Sequence, residues 1–334
     1  MLGIFWLTTD CNMQCIYCYE GNNKTKLYMD KECSDKAIYF LIKQMKNKND
    51  KRLNIEFHGG EPLLAYERLV DIVGKAKKIC AEEDINLRFG CTTNATLLNQ
   101  ERFDFISREI EDFSISMDGA EFTHNYSRCL TSGRETFDYV EKWLKKVLEI
   151  YPNLRVRMTF THTTVHNFFE NIQYFDSVGV RYVVPTRDFF DKEFGAKEFE
   201  ILKEQLLLSR EYIQKTDTDI HVSLLEKFPT NKMGMCSGGI DSFHIDPQGN
   251  LYPCTLSVGN EEFLIGDIFS GIDLKKRDSI LHYSTKANEE CIGCALYEYC
   301  EQTRCKIVNK ILTGNFCTPS PIVCAENSML LDIV

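Results

Sequence analysis

Six short runs along the first 190 residues place apolar side chains in strand-like order: GIFWLT, LNIEFH, LRFGCTT, DFSISMD, LRVRMTF and VRYVVP. In LNIEFH the apolar residues fall at every second position, as a half-buried strand requires. Between the runs, segments 33–49, 65–82, 99–108, 133–150 and 167–177 carry helical spacing, with Leu41, Ile42 and Met45 as an example in the first. A strand followed by a helix and then another strand, repeated, predicts a parallel sheet covered by helices and curled toward a barrel. In such barrels the chemistry sits at the carboxyl ends of the strands. Residues 196–215 read as one amphipathic helix, after which the alternation stops. From about residue 230 the chain reads as short of long helices, with turn signals such as DPQGN, so a second, smaller module packed against the first is expected.

The chain is 334 residues long, enough for one large core and a smaller one. Its formal net charge of -10 argues against nonspecific binding to nucleic acid or to an acidic membrane. Residues 1–10 lack a basic n-region, and no run of eighteen apolar residues follows, which points to a cytoplasmic protein. Against that background, fifteen cysteines are the anomaly. A reducing compartment disfavours disulfides and leaves metal ligation as the better reading.

Three of the thiols, Cys11, Cys15 and Cys18, fall directly after the first strand with the spacing C-x3-C-x2-C. Three thiolates on a short loop can hold three corners of a [4Fe–4S] cube and leave the fourth iron open. Structural zinc, the competing reading, prefers four closed ligands. With Tyr17 before the last cysteine, the segment resembles the radical S-adenosylmethionine (SAM) superfamily. The resemblance implies that the open iron chelates SAM and that reductive cleavage releases a 5′-deoxyadenosyl radical. It extends to Gly59, Gly60, Glu61 and Pro62, which match the GGEP motif implied to contact the methionine amino group. It also implies that Asn94 lies in the cofactor site, that Ser116 reaches the ribose and that Arg128 binds the methionine carboxylate. The implied fold is a partial (β/α)6 TIM-like barrel over residues 1–190, with a bridging helix and linker over 191–230.

The remaining segment, 231–334, resembles a SPASM domain: Cys236, Gly249 and Cys254 are followed by Cys291, Cys294, Cys300, Cys305, Cys317 and Cys324. The spacing departs from that pattern once, with four residues instead of three between Cys300 and Cys305. The resemblance implies two auxiliary [4Fe–4S] clusters, one held by Cys236, Cys254 and Cys305 and one by Cys291, Cys294, Cys300 and a late cysteine. Cys324 fits the late gap better than Cys317, which is then an extra ligand or an ordinary thiol. No cysteine stands a few residues before Cys236, so an open iron that binds a substrate thiolate is expected there unless Cys317 closes it. Cys33, Cys80, Cys91 and Cys129 match no motif and are expected in the core.

Such enzymes modify peptides. Formylglycine-forming relatives characteristically follow the second SPASM cysteine with an aspartate, whereas here Cys254 is followed by Thr255. The C-terminal text also looks like maturases of peptides with repeated cysteines. Thioether formation in a cysteine-containing precursor peptide is therefore expected, with a carbon–carbon or carbon–oxygen crosslink as the alternative. Ferredoxin or flavodoxin is the expected electron donor. Only ten residues precede Cys11, so leader binding is expected to fall to a separate protein, to the region 187–230, or to nothing. An iron–sulfur electron carrier would not require GGEP or six βα units, and a zinc scaffold is the remaining non-enzyme reading. Asp118, Asp188 and Asp246 are candidate bases that spacing does not rank.

Overall fold

Strand and helix alternate through the first half of the computed structural model, which describes residues 1–21, 25–226 and 232–333. In order these are β1 (Leu2–Trp6), α1 (Lys31–Lys46), β2 (Arg52–His58), α2 (Tyr66–Glu82), β3 (Asn86–Thr93), α3 (Gln100–Glu109) and β4 (Asp112–Ser116). The series continues with α4 (Glu121–Ser127), α5 (Phe137–Leu148), β5 (Arg155–Phe160), α6 (Phe168–Ser177) and β6 (Tyr182–Arg187). The bridging helix α7 (Ala196–Thr216) leads to β7 (His221–Val222), and β8 (Ser242–Ile245) and β9 (Leu251–Tyr252) follow. Helices α8 (Leu274–Leu281), α9 (Glu301–Arg304), α10 (Lys306–Thr313) and α11 (Pro321–Ile333) complete the described chain. Of the region 191–230, the stretch 227–230 lies outside the described residues.

The six sequence-read strands all form, and each pairs in parallel with the next, giving the TIM-like partial barrel. Alternation explains the two faces of β2. Leu53, Ile55 and Phe57 are fully buried under the helices, whereas Asn54, Glu56 and His58 occupy the opposite face. Helix starts follow the capping logic: Asp30 accepts the Cys33 N–H at 2.7 Å before α1, and Asn99 accepts that of Arg102 at 2.9 Å before α3.

The sheet goes further than the six runs. β7 pairs in parallel beyond β6, and β8 pairs in parallel with the free side of β1, with β9 antiparallel outside it. These strands are two to four residues long, too short to show a period. The expectation that the last hundred residues lack long helices is corrected by α11, thirteen residues opened by Pro321 in the first turn. Val323, Met329, Leu330 and Ile333 of α11 are buried, and it packs on α7. Its Glu326 makes a buried ion pair with Arg187 at the end of β6, Nε to Oε2 3.4 Å. The sequence also gave no warning of α4, whose FTHNYS text has little helix propensity.

Within α4, His124 is fully buried with Nε2 3.0 Å from Thr136 Oγ1. Burial, reinforced by Arg128, pushes its pKa from 6.5 down to about 3. The unfolded chain therefore takes up this proton at a higher pH than the folded chain, and stability rises with pH across that interval. Between about pH 6.5 and pH 4, urea midpoints of the wild type should fall more steeply than those of His124→Phe, which has no proton to gain. Parallel curves would show that this ring is not held neutral.

Candidate active site

The carboxyl ends of β1 to β6 surround a cavity of about 440 Å³. Cys11, Cys15 and Cys18 line it from the loop after β1, and Gly59, Gly60 and Glu61 line it from the loop after β2. The two loops are joined by backbone hydrogen bonds, Gly60 N–H to Thr8 O and Glu61 N–H to Asp10 O, each 2.9 Å. Their approach is so close that a Cβ on Gly60 would stand 2.1 Å from Asp10 O, and one on Gly59, whose φ is +127°, would stand 2.2 Å from Thr8 O. From the other side the segment after α4 braces the cysteine loop, with Gln14 N–H donating to Cys129 O at 2.9 Å and Ile16 N–H to Ser127 O at 3.1 Å.

Glu61 is buried and its carboxylate is fully engaged. Oε1 accepts from Leu63 N–H at 3.0 Å and from the Thr93 hydroxyl at 2.6 Å, and Oε2 accepts from Asn94 N–H at 2.8 Å. Burial raises its pKa and these donors oppose the rise. Pro62 follows as the first residue of a short turn of helix. Asn94 donates to Asn12 Oδ1 at 3.0 Å, which ties the end of β3 to the cysteine loop. Ser116 at the end of β4 and Arg128 also line the cavity.

Arg128 is held by charge. Its Nε lies 3.1 Å from Oδ1 of fully buried Asp118, its guanidinium stacks over Tyr17 at 5.4 Å, and Nη1 reaches 3.8 Å from Cys15 Sγ. Tyr17 donates its hydroxyl to Asp118 Oδ2, and Thr159 N–H donates to Oδ1 at 2.9 Å. Burial opposes the charge on Arg128, but Asp118, Tyr17 and Cys15 outweigh it and keep the guanidinium protonated. Burial pushes the Cys15 thiol up to about 11, with Arg128 pulling the other way. Among the residues acting on Cys15 is Cys129, a half-buried thiol beside the cysteine loop and not the core residue its lack of a motif suggested. Cys33, Cys80 and Cys91 are buried in the core as expected.

The later cysteines fall into two groups. Cys236 adds to the upward push on the Cys254 thiol, and both act on Cys305, whose thiol burial pushes up to about 12. Separately, Cys324 feels Cys300, Cys291 and Cys294, and Asn327 on α11 donates to Cys300 Sγ at 3.4 Å. Cys317 acts instead on Lys306. The first of these groups adjoins the barrel cavity: Tyr19 in the cavity wall feels both Cys18 and Cys254, and Thr255 and Leu256, which follow Cys254, are part of the lining.

Among the described residues no three His, Cys, Asp or Glu side chains form a group that could hold a single metal ion. A four-iron cube takes one thiolate per iron, and so asks for thiols spread around a body and not converging on a point. Cys11, Cys15 and Cys18 on one wall, with a cation beside Cys15 and N–H donors such as Met13 N to Cys11 Sγ at 3.4 Å, fit such a cube.

Residues 7–178 match the Radical SAM superfamily. This chain belongs to that superfamily. As a radical SAM enzyme it uses S-adenosylmethionine and a [4Fe–4S] cluster. A cysteine-type anaerobic sulfatase-maturating enzyme of Clostridium perfringens is 23% identical over 329 residues, covering 88% of this chain and 85% of that protein. The structure of native anSMEcpe with bound AdoMet superposes with a TM-score of 0.82 at 18% identity, over 100% of this chain and 97% of that one. Streptococcus suis SuiB bound to precursor peptide SuiA gives 0.68 at 15% identity, over 97% and 75% of the two chains. No helix among the described residues is long and apolar enough to cross a membrane.

Sequence reasoning missed His58, Arg157, Phe189 and Phe190, which share the cavity with this radical SAM site. Burial, with Arg157 adding to it, holds His58 neutral with a pKa down to about 4. The facing strands β2 and β5 give the cavity a mixed wall, neutral imidazole against cation, that the alternation of the strands implies only once their inner faces are known.

Gly60→Ala tests the contact between the two loops. The added carbon meets backbone, which has no flexible end to move aside, so the loops must part. SAM binding measured by equilibrium dialysis should weaken at least about tenfold. Unchanged affinity would mean that the close approach is not needed for the cofactor.

Proposed function

We propose that this radical SAM enzyme is a peptide maturase that joins a cysteine sulfur to a carbon of another residue in a ribosomally made precursor peptide. The observation that carries this reading is the group of three thiols, Cys236, Cys254 and Cys305, next to the cavity wall formed by Tyr19, Thr255 and Leu256. Three thiolates on an auxiliary cube leave one iron for a substrate thiolate, a few residues from the radical site.

In this reading Cys11, Cys15 and Cys18 hold the SAM cluster. Gly59, Gly60, Glu61 and Pro62 present the backbone edge to the methionine amino group. Arg128, oriented by Asp118 and Tyr17, takes the methionine carboxylate with its planar fork. Asn94 and Ser116 face the nucleoside. Cys291, Cys294, Cys300 and Cys324 hold a second auxiliary cube, and Cys317 stays beside Lys306 as an ordinary thiol. Phe189, Phe190 and Leu256 exclude water from the peptide. Bound there, the cofactors supply a hydrogen-abstracting radical and an acceptor for the electron left after bond formation. A ferredoxin or flavodoxin delivers the reducing electron.

Formylglycine formation is the second reading, supported by the sulfatase-maturating relatives and weakened by Thr255 in place of a carboxylate. A carbon–carbon or carbon–oxygen crosslink would use the same scaffold. Product mass separates the first two: a thioether loses two hydrogen atoms and keeps its sulfur, and formylglycine made from cysteine does not keep it.

The cofactor assignment has its own test. Anaerobically reconstituted protein should hold about twelve irons per chain, falling to about eight when Cys11, Cys15 and Cys18 are all replaced by Ala, with SAM cleavage abolished. About eight falling to four would leave a single auxiliary cube and overturn the grouping of Cys291 with Cys324.

A further inference from the structure

Closing a thioether breaks one S–H and one C–H bond and makes one S–C bond. The hydrogen atom from carbon goes to the adenosyl radical and forms 5′-deoxyadenosine, and one electron goes to an iron–sulfur cluster. The thiol proton remains, inside a cavity walled partly by aromatic and aliphatic side chains, and it needs an acceptor.

The structure ranks the carboxylates that could serve. Asp118 does not line the cavity, and its oxygens are taken by Arg128, Tyr17 and Thr159. Asp246 shapes a turn, accepting from Gln248 N–H at 2.8 Å, Asn250 N–H at 2.9 Å and Asn250 Nδ2 at 2.9 Å. Glu61 lines the cavity but carries three donors already, and Glu20 has interactions of its own. Asp188, which immediately precedes the aromatic pair Phe189 and Phe190, lines the cavity as well. Its Oδ1 accepts the Phe190 N–H at 2.9 Å, and its Oδ2 has no partner among the described residues.

We propose that Asp188, through Oδ2, is the substrate-side proton acceptor that takes the thiol proton of the peptide cysteine. The assignment rests on the thioether reading above. Its backbone is fixed on both sides: Asp188 N–H donates to Phe160 O at 2.9 Å, and Arg187 Nη1 donates to Asp188 O at 2.8 Å. Arg187 in turn is fully buried, paired with Glu326 of α11 and packed over the rings of Phe189 and Phe194 at 5.7 and 5.4 Å. A carboxylate on so rigid a support stays at the cavity wall without needing a flexible search.

The electrostatics agree in direction. Burial, opposed by the Phe190 N–H and Arg187 and reinforced by Asp191, raises the pKa of Asp188 and makes it a stronger base than an exposed aspartate. It shares the cavity lining with Arg157, neutral His58 and Glu20. Asp188 must be deprotonated to accept, so crosslinking should rise with pH through its raised carboxylate range.

The test uses the reconstituted full chain, with a pool of synthetic cysteine-containing peptides as probe, comparing wild type with Asp188→Asn and Asp188→Glu. Iron content, melting temperature and SAM affinity should be unchanged in both variants. Asp188→Asn should lose product by about a hundredfold or more, the scale of a positioned base. It should still move deuterium from labelled peptide into 5′-deoxyadenosine, and its residual rate should lack the acidic limb of the pH profile. Asp188→Glu should restore part of the rate and the limb. Product within threefold of wild type in Asp188→Asn, or a matching loss of SAM affinity, would overturn the assignment and leave the thioether reading standing. Absence of any product lighter by two hydrogen atoms with wild type would instead sink the thioether reading, and the role of Asp188 with it.

Discussion

Everything at the mouth of this barrel depends on how closely two backbone segments approach. The loop after β1 carries three thiols, and the loop after β2 carries two glycines that leave no side chain between the segments. Two 2.9 Å hydrogen bonds then fasten Gly60 and Glu61 to Thr8 and Asp10. With that contact in place, Glu61 can cap the end of β3 through Thr93 and Asn94, and Asn94 can reach back to Asn12. The cysteine loop is thereby held from β2, from β3 and from the segment after α4 before any cofactor binds. Thiols that must share one inorganic body gain from such preorganisation, because a preformed site spares the cost of gathering them.

Charge inside the molecule is arranged in two buried sets. Arg128 with Asp118 and Tyr17 serves the thiol side of the cavity, and Arg187 with Glu326 serves the side where β6 meets α11. Isolated charges at such depth would cost several kcal/mol each, so both arginines are paired and also laid over aromatic rings. Two imidazoles are also kept neutral by burial, His58 and His244, with pKa values down to about 4 and about 3. Of the two, His58 lines the cavity, so its uncharged state removes one fixed charge from that wall.

The barrel was largely legible in the sequence because its strands are long enough to show a period and its helices have caps and apolar stripes. The same holds for Cys11, Cys15 and Cys18, whose local spacing survives folding unchanged. What remained hidden depends on contacts between distant segments. β8 is four residues long, and its place beside β1 comes from pairing and not from pattern. Cys129 reads as an ordinary thiol until the segment after α4 is seen bracing the loop that holds Cys15. Asp118, Asp188 and Asp246 are indistinguishable as letters, yet one is an internal counter-ion, one faces the cavity and one shapes a turn. Helix α11 is masked in the sequence by Cys324, whose place in the cysteine spacing competes with the apolar positions Val323, Met329, Leu330 and Ile333.

The parallel pairing of β8 with β1 gives the C-terminal half a particular kind of attachment. β1 is an interior strand only because Ser242–Ile245 covers one side of it. Without that cover, the strand that launches the cysteine loop would present a bare row of N–H and C=O groups, the template on which chains aggregate. The separation between the two halves is therefore set by strand spacing of about 4.8 Å and not by a hinge. A barrel of this sequence freed from its partner half would be a sticky fragment and not a simpler enzyme.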